Sequence, residues 1–208
     1  MNDRIKNSIY GGGLLDLCGE PGYFAKNVQE NKIFKKVYCT AYNSEVAKKI
    51  QNTFEVDCMP FDFQNDKLQE KFKDAFFDFV TIRWAMNFCI DLDSFAKDLY
   101  SKLNNAGMVY MDLSAPAIGT CLRWQFDDYT YEFLYTSETI KKVFAENGFK
   151  CVAFKQDAFY YNYLDGISAI YEKIYYKYYE LKNRKNFDKK AMQLIQNGYC
   201  LVFSKTGK

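Results

Sequence analysis

The chain has 208 residues, 49% of them apolar, and it is long enough for one domain with a full core. Its formal net charge of only +2, with lysines spread along the chain, argues against a nucleic-acid-binding surface. The absence of histidine excludes Ser-His-Asp and Cys-His catalysis and most metal sites, and no apolar run reaches the roughly 20 residues of a membrane span.

Strand and helix patterns alternate through the first half of the chain. Asn43 and Ser44 form a predicted cap for the second helix, because short polar side chains accept hydrogen bonds from the first turn of a helix. In chain order, the predicted elements are a strand at 14–17, a helix at 23–31, a strand at 37–42, a helix at 45–53, a strand near 54–58 and a strand at 76–83. This order is typical of an α/β protein.

The same alternation continues in the second half. A helix at 92–103 is predicted to stop at Asn104–Gly107, and a helix at 137–147 to stop at Gly148, since asparagine and glycine favour helix ends. Further strands are predicted at 108–113, from 151 to 154 and at 199–204. Crossover helices would then cover both faces of a mostly parallel, seven-stranded sheet, which gives a three-layer, Rossmann-like α/β sandwich.

The chain shows no internal repeat and no linker rich in proline, glycine or serine. Residues 1–208 are therefore predicted to form one domain, with inserts at about 114–136 and 157–198. Both inserts would leave the sheet near one rim, where such folds place ligands. The second insert carries an apolar stripe at helical spacing over residues 167–181, which predicts core packing; its flanking tyrosines leave open a pocket or a partner surface.

Seven cysteines are scattered along the chain, and none belongs to a CxxC pair. This pattern predicts reduced, mostly buried thiols and a cytoplasmic location rather than a disulfide framework. Without histidine or a CxxC pair, no metal site is predicted. The N-terminus has no apolar region that resembles a secretory signal.

The turn after the first strand is the first candidate functional site. Asp16 lies within the apolar run 14–17, and Cys18, Gly19 and Glu20 follow it in a short turn that ends at Gly22. One interpretation is that a nucleotide-like cofactor lies across the strand end, where small residues allow close approach to the backbone. The other interpretation is a tight turn with no ligand.

Later segments extend the pattern of this turn. Residues 59–63 (MPFDF) follow the third strand, residues 77–80 (FDFV) begin the fourth, residues 103–111 (LNNAGMVYM) enter the fifth, and residues 136–154 contain a helix, a glycine turn and the sixth strand. The order and spacing of these features resemble the class I S-adenosylmethionine-dependent methyltransferases over nearly the whole chain. The resemblance implies the strand order 3-2-1-4-5-7-6, with the seventh strand antiparallel to its neighbours.

The resemblance also assigns a cofactor site. It implies S-adenosylmethionine as the cofactor, with Asp16 on its ammonium group and adenine near Asp62 and Phe63. The residues assigned to cofactor binding are Asp16, Cys18, Gly19, Glu20, Gly22, Tyr42, Asn43, Asp62, Phe63 and Arg83. Gly22 is expected to leave room for the cofactor.

One position departs from the family pattern. The second strand of the family ends in an acid that bonds both ribose hydroxyls, and this place falls on Tyr42, beside Asn43. Asn43 can bond a hydroxyl but cannot match a carboxylate, and Glu20 could take part of the ammonium contact. Weakened affinity, a changed cofactor or compensation from another segment therefore remain open. Only 13 residues precede the first strand, where the family often has helices that close over the cofactor. Either the site stays open, or it is covered by the long inserts or by another subunit, in a homodimer or with a partner.

The acceptor site is predicted at the end of the fourth strand. Arg83 and Trp84 lie there, and Arg123 lies in the first insert. A guanidinium holds phosphate or carboxylate bidentately, so these residues, closed by Tyr129, predict a small anionic acceptor and favour O-methylation. The alternative for the arginines is surface ion pairing. Candidate general bases are Asp127, Asp128 and Tyr129, whose alternative is a solvated acidic loop.

The favoured function is that of a small-molecule methyltransferase acting on a sugar or phosphate derivative. RNA methylation is disfavoured, because the 2′-O-methyltransferases need a Lys-Asp-Lys-Glu tetrad whose Asp lies at the end of the fourth strand, and residues 81–84 (TIRW) contain no acid there. No basic patch is evident either. The alternatives are a non-catalytic methyltransferase-like subunit that acts through a partner, and a Rossmann oxidoreductase, which the missing ribose acid disfavours.

Overall fold

The computed structural model describes residues 12–114, 135–156 and 198–207, and both predicted inserts lie almost entirely outside these ranges. The strands are β1 Gly13–Leu17, β2 Lys36–Ala41, β3 Asp57–Pro60, β4 Phe77–Arg83, β5 Leu103–Ser114, β6 Phe149–Gln156 and β7 Gly198–Lys205. The helices of the same ranges are α1 Tyr23–Glu30, α2 Ser44–Phe54, α3 Leu68–Lys71, α4 Leu92–Lys102 and α5 Ser137–Glu146, with a 3-10 turn at Met86–Phe88.

The seven described strands form one sheet in the order β3-β2-β1-β4-β5-β7-β6. Strands β1 to β5 pair in parallel, and β7 is antiparallel to both β5 and β6. This topology confirms the predicted order and the antiparallel last strand. Because parallel strands point the same way, the carboxyl ends of β1 to β4 lie along one edge of the sheet.

Each face of the sheet has its own apolar core. On one face, α1 and α2 pack over β1, β2 and β3, with Leu14 and Ile50 among the buried residues. On the other face, α3, α4 and α5 pack over the central and late strands, with Ile82 and Phe144 in that core. The alternation of Leu14 and Leu15 between the two cores is the expected consequence of a pleated strand.

The predicted helix cap is confirmed, while the third strand lies later than predicted. Asn43 Oδ1 accepts a hydrogen bond of 2.9 Å from the Val46 amide at the start of α2. The sequence pattern predicts a strand from about Phe54, but this residue ends α2, and Glu55 takes a left-handed conformation with φ 56°. That conformation ends the helix, and β3 therefore starts at Asp57.

The fifth strand begins earlier than the sequence indicates. The helix α4 ends at Lys102, and Leu103 already pairs with Phe77. The register then shifts, so that Phe79 pairs with Met108, and Ala106 has φ 62°. The Asn104–Gly107 stretch is thus a bulge in the strand rather than only a helix stop.

The short helix α3 has no counterpart among the predicted elements. It has four residues, too few for a periodic pattern, and Asp98 of α4 holds it by accepting from the Leu68 and Gln69 amides. Across the described ranges, none of the helices has both the length and the apolar character needed to cross a membrane.

Candidate functional site

The predicted cofactor residues meet at the carboxyl edge of the sheet. They come from the ends of four neighbouring strands, β3, β2, β1 and β4, which lie side by side. Asp16, Tyr42, Asp62 and Arg83 each lie in the last part of one of these strands or just beyond it. The sheet topology therefore brings together groups that are far apart in sequence.

Asp16 is fully buried and bonded to two residues of β4. Thr81 Oγ1 donates to Asp16 Oδ1 at 2.6 Å, and Arg83 Nη2 donates to Oδ2 at 3.0 Å and to Oδ1 at 3.3 Å. Burial raises the pKa of the Asp16 carboxyl, while the Arg83 charge and the Thr81 hydroxyl act in the opposite direction. The guanidinium and the hydroxyl thus stabilise a charge that burial alone would neutralise.

Arg83 is held on two sides. Its guanidinium carbon lies 4.5 Å from the centroid of the Phe24 ring, on α1, and its Nη2 bonds Asp16. Its Nε is buried and has no hydrogen-bond partner among the described residues. The sequence pattern offers Arg83 as a cation for an anionic acceptor, but the structure gives that cation an internal carboxylate partner.

The turn after β1 is fixed to the end of β2. Cys18 N donates to Thr40 Oγ1 at 2.8 Å, and Gly19 N donates to the Thr40 carbonyl at 2.9 Å. A Cβ on Gly19 would lie 2.1 Å from Asp16 Oδ2, so a side chain there would displace the buried carboxylate. The turn is therefore tight because it packs on Asp16 and on β2.

The structure explains the glycine at position 22 differently from the prediction. It caps α1 with φ 94°, a left-handed conformation in which a side chain is strained. A Cβ at this position would lie 2.7 Å from Ile50 Cγ2 and 3.0 Å from Phe54 Cδ2. The glycine allows α1 to approach α2, so the expected steric requirement of the cofactor is not needed to explain it.

Glu20 brings a carboxylate to the end of β2. Its Oε1 accepts a hydrogen bond of 2.5 Å from the Tyr42 amide, while the Tyr42 side chain is 66% exposed. Partial burial raises the pKa of the Glu20 carboxyl, and the bond from the Tyr42 amide opposes that shift. The acid that is missing from the sequence of β2 is thus present in space at that place, supplied by the turn after β1.

The side chains after β3 have local partners. The Asp62 carboxylate accepts from the Gln64 amide at 2.9 Å and from Asn65 Nδ2 at 2.8 Å, which forms a polar turn. The Phe63 ring lies 5.4 Å from that of Phe61 and 5.3 Å from that of Phe95 on α4. Both residues thus lie at the edge of the candidate site. Their predicted contact with adenine stays a prediction.

The predicted acceptor residues are only partly described. Trp84 directly follows β4, has φ 58°, and its amide donates to the Asp112 carbonyl at 2.8 Å. Arg123, Asp127, Asp128 and Tyr129 lie outside the described residues. Their assignment as acceptor-binding or basic groups therefore stays a prediction.

A polar group on β5 and β7 is absent from the residues predicted for the site. Asp112 Oδ1 accepts hydrogen bonds from the Tyr110 hydroxyl at 2.9 Å and from Cys200 Sγ at 2.7 Å. Burial and these partners raise the pKa of the Tyr110 phenol, which stays neutral. The sequence does contain a signal for Asp112 as a site residue. It is an acid within the apolar stretch 108–113 (MVYMDL), just as Asp16 is an acid within 14–17 (LLDL).

A cavity of about 420 Å³ lies between α1 and strands β1, β4 and β5. One part of its wall is apolar, with Leu14, Phe24, Phe34 and Phe79 among its residues. The other part is polar and is formed by Thr81, Arg83, Tyr110 and Asp112. Its size and mixed lining are typical of a site for a small organic molecule.

A family model matches nearly half of the chain. Residues 15–111 match the family model described as a methyltransferase domain. The matched range runs from β1 into β5, so it contains each described cofactor candidate. No curated protein matches the chain in sequence.

Solved structures share the fold at low sequence identity. An S-adenosylmethionine-dependent methyltransferase from Mesorhizobium loti superposes with a TM-score of 0.66 and 12% identity, covering 95% of this chain and 92% of that chain. A chain of the complex between the Haloferax volcanii Trm112 methyltransferase activator and a methyltransferase gives 0.64 and 12%, covering 95% and 84%. The N-methyltransferase NodS from Bradyrhizobium japonicum, in complex with S-adenosyl-L-homocysteine, gives 0.59 and 11%, covering 94% and 79%.

Proposed function

We propose that the chain is a class I S-adenosylmethionine-dependent methyltransferase, which transfers a methyl group from this cofactor to a small polar acceptor; the match of residues 15–111 to a methyltransferase domain and the shared fold support this. When bound, S-adenosylmethionine supplies a methyl group on a positively charged sulfur. The protein contributes by holding cofactor and acceptor in line, which accounts for much of the rate gain in such reactions. The observation that carries the proposal is the carboxylate of Glu20 at the end of β2.

Glu20 supports the proposal because it compensates for the acid that β2 lacks. A ribose presents two neighbouring hydroxyl donors, and a carboxylate is the side chain best suited to accept from both. Glu20 Oε1 accepts from the Tyr42 amide, and this bond holds the carboxylate at the end of β2. We assign the ribose contact to Glu20 rather than to Tyr42.

The neighbouring Asn43 is poorly suited to that role. Its side-chain oxygen is occupied by the Val46 amide as the cap of α2. The remaining amide group is a donor, whereas a ribose hydroxyl that donates needs an acceptor. Asn43 is therefore a second contact at most, and the cap explains its presence.

Asp16 contributes to the site mainly as a buried anchor. Its carboxylate is fully buried and engaged by Thr81 and Arg83, so a direct contact with the cofactor ammonium would require a new arrangement. Its bonds to β4 and its contact with Gly19 fix the turn that carries Cys18 and Glu20. We propose that Asp16 positions this turn.

The pairing of Arg83 removes the main support for an anionic acceptor. The expectation of such an acceptor and of O-methylation depended on Arg83 as an unpaired cation, and Arg83 is paired with Asp16. The other cation in that expectation, Arg123, lies outside the described residues, as do the candidate bases Asp127, Asp128 and Tyr129. The part of the proposal that remains supported is a small polar acceptor near the end of β4.

Calorimetry with S-adenosylmethionine, S-adenosylhomocysteine and NAD tests the proposed function. We expect the first two to bind and NAD not to bind, because the strand order with an antiparallel β7 is that of the methyltransferases rather than of an oxidoreductase. Binding of NAD alone would favour an oxidoreductase. Failure of all three to bind would favour the non-catalytic subunit.

We also propose a second subunit and a cytoplasmic location for this protein. One similar structure comes from a methyltransferase complex with an activator protein, and we propose that a partner subunit or a second copy of this chain closes the site. Light scattering of the purified protein would detect a homodimer. No disulfide joins Cys18, Cys39, Cys58, Cys89 or Cys151, which fits the proposed cytoplasmic location.

A further inference from the structure

Asp112 is a buried carboxylate without a cationic partner among the described residues. It is 6% exposed, and both donors to its Oδ1, the Tyr110 hydroxyl and the Cys200 thiol, are neutral. Its Oδ2 has no hydrogen-bond partner within the same ranges, and no described lysine or arginine lies within ion-pair distance. Buried charges are normally paired, so a carboxylate in this position points to a missing partner.

The free side of Asp112 belongs to the cavity between α1 and strands β1, β4 and β5. Asp112 and Tyr110 form part of its polar end, and the aromatic rings of Phe24, Phe34 and Phe79 form part of its apolar wall. The Phe34 and Phe79 rings lie 6.2 Å apart, centroid to centroid, close enough to enclose a flat apolar group from one side. A ligand of this cavity would meet an apolar surface and a negative charge together.

The arginine on the strand beside Asp112 does not neutralise it. Arg83 pairs in register with Asp112 on the neighbouring strand, but its guanidinium bonds Asp16 instead. Asp16 and Arg83 therefore compensate each other, and within residues 12–114, 135–156 and 198–207 the charge of Asp112 has no counter-charge at this end of the cavity. An anionic ligand would be repelled there, while an ammonium group would be attracted.

We propose that this cavity binds the methyl acceptor, a small amine with an apolar, preferably aromatic body, whose ammonium group pairs with Asp112. For methylation the ammonium would first pass one proton to the Asp112 carboxylate, and the freed nitrogen lone pair would form the N–CH3 bond as the S–CH3 bond of the bound cofactor breaks and S-adenosylhomocysteine leaves as a neutral thioether. The identification of the amine as acceptor rests on the proposed function, whereas binding of the amine in the cavity does not. Asp112 and Tyr110 select the charged end of the ligand, and the aromatic wall selects its body.

The test uses three probes of similar shape and different charge, measured by calorimetry on the full chain with and without S-adenosylhomocysteine. They are 2-phenylethylamine, 2-phenylethanol and 3-phenylpropionate, with cyclohexylethylamine as a second amine of aliphatic body. We expect the amines to bind best, the alcohol to bind at least about tenfold more weakly, and the carboxylate not to bind. Failure of both amines, or equal binding of the carboxylate, would overturn the proposal.

Two variants locate the site. Asp112→Asn keeps the shape and removes the charge, so amine affinity should fall at least about tenfold while alcohol affinity changes little. Ile33→Trp places a larger side chain at a partly exposed position of the cavity wall and should weaken all the probes. Asp57→Asn, an exposed charge removed from β3, is the matched control and should leave binding unchanged.

The variants also separate the two proposals. Binding of S-adenosylhomocysteine by Asp112→Asn reports that the variant is folded and tests the cofactor site independently. If the parent binds this cofactor product but neither amine, the methyltransferase assignment stands and the amine site is rejected. If amine binding survives in Asp112→Asn, the carboxylate is not its partner and the proposal is wrong.

Discussion

Arg83 Nη2 and Asp16 Oδ2 lie 3.0 Å apart, which joins the end of β4 to a fully buried carboxylate of β1. This ion pair sits at the centre of the candidate site. It holds β1, which leads into the turn at Cys18. It also pairs Arg83, the cation that the sequence pattern predicted as a partner of an anionic acceptor.

Arg83→Met should destabilise the protein, because it leaves the Asp16 charge buried with Thr81 as its remaining described partner. The Arg83 side chain is 30% exposed, so we expect about 3 kcal/mol, near the low end of the cost of breaking a buried pair. Urea denaturation measures the change. The double variant Asp16→Asn with Arg83→Met should recover part of the loss, and strict additivity would show that the two residues are not coupled.

The same variant should change how stability depends on pH. Burial already raises the pKa of Asp16 above its ordinary value of 3.8, and removing Arg83 takes away the largest opposing interaction. A carboxyl with a raised folded-state pKa binds protons more readily when folded, so the free energy of unfolding increases as pH falls. The deficit of Arg83→Met should therefore be smaller at about pH 5 than at about pH 8, in urea titrations at both values. An unchanged deficit would mean that Asp16 keeps another partner.

Glu20→Gln should weaken S-adenosylhomocysteine and 5′-methylthioadenosine by the same factor, about tenfold, since both ligands carry the ribose. If Glu20 instead contacts the ammonium group, only S-adenosylhomocysteine should weaken, because methylthioadenosine lacks the amino acid part. Calorimetry with both ligands distinguishes the two contacts. Glu70→Gln, an exposed carboxylate on α3, serves as the control.

The affinity for S-adenosylhomocysteine should fall with decreasing pH at values above the usual titration range of a glutamate. Partial burial raises the pKa of Glu20 above its ordinary value of 4.5, and the protonated form can no longer accept from both hydroxyls. The loss should be absent in Glu20→Gln. A parent and variant with parallel pH profiles would assign the dependence to another group.

Gly22→Ala should lower stability by about 2 to 4 kcal/mol, from the left-handed backbone and the clash with α2. Its Cβ would lie 2.7 Å from Ile50 Cγ2, so the change acts on the helix contact rather than on the ligand. Thermal unfolding measures the loss, and Gly207→Ala, with no atom near its Cβ, is the neutral control. Full stability with lost cofactor binding would instead show that Gly22 faces the cofactor.

Local patterns predicted some features well and others poorly. The Asn43 cap follows from the preference of short polar side chains for helix starts, and the structure confirms it. The boundary at Phe54 was wrong because the left-handed Glu55 ends α2, and single residues of this kind leave little trace in hydrophobic periodicity. Helix α3 was missed because four residues are too short for a period of 3.6.

The sequence by itself determined the order of strands and helices, the buried position of Asp16 in the first strand and the resemblance that implied the sheet topology. Only the tertiary structure decided which polar groups meet. Glu20 reaches the Tyr42 amide across 22 positions, and Arg83 reaches Asp16 across 67. The second pair depends on the register between β1 and β4, because a one-residue change of register in either strand would turn its side chain to the opposite face. The first pair depends on the path of the turn after β1. The partnerless carboxylate of Asp112 became visible for the same reason, since only the packed sheet shows which charges are balanced.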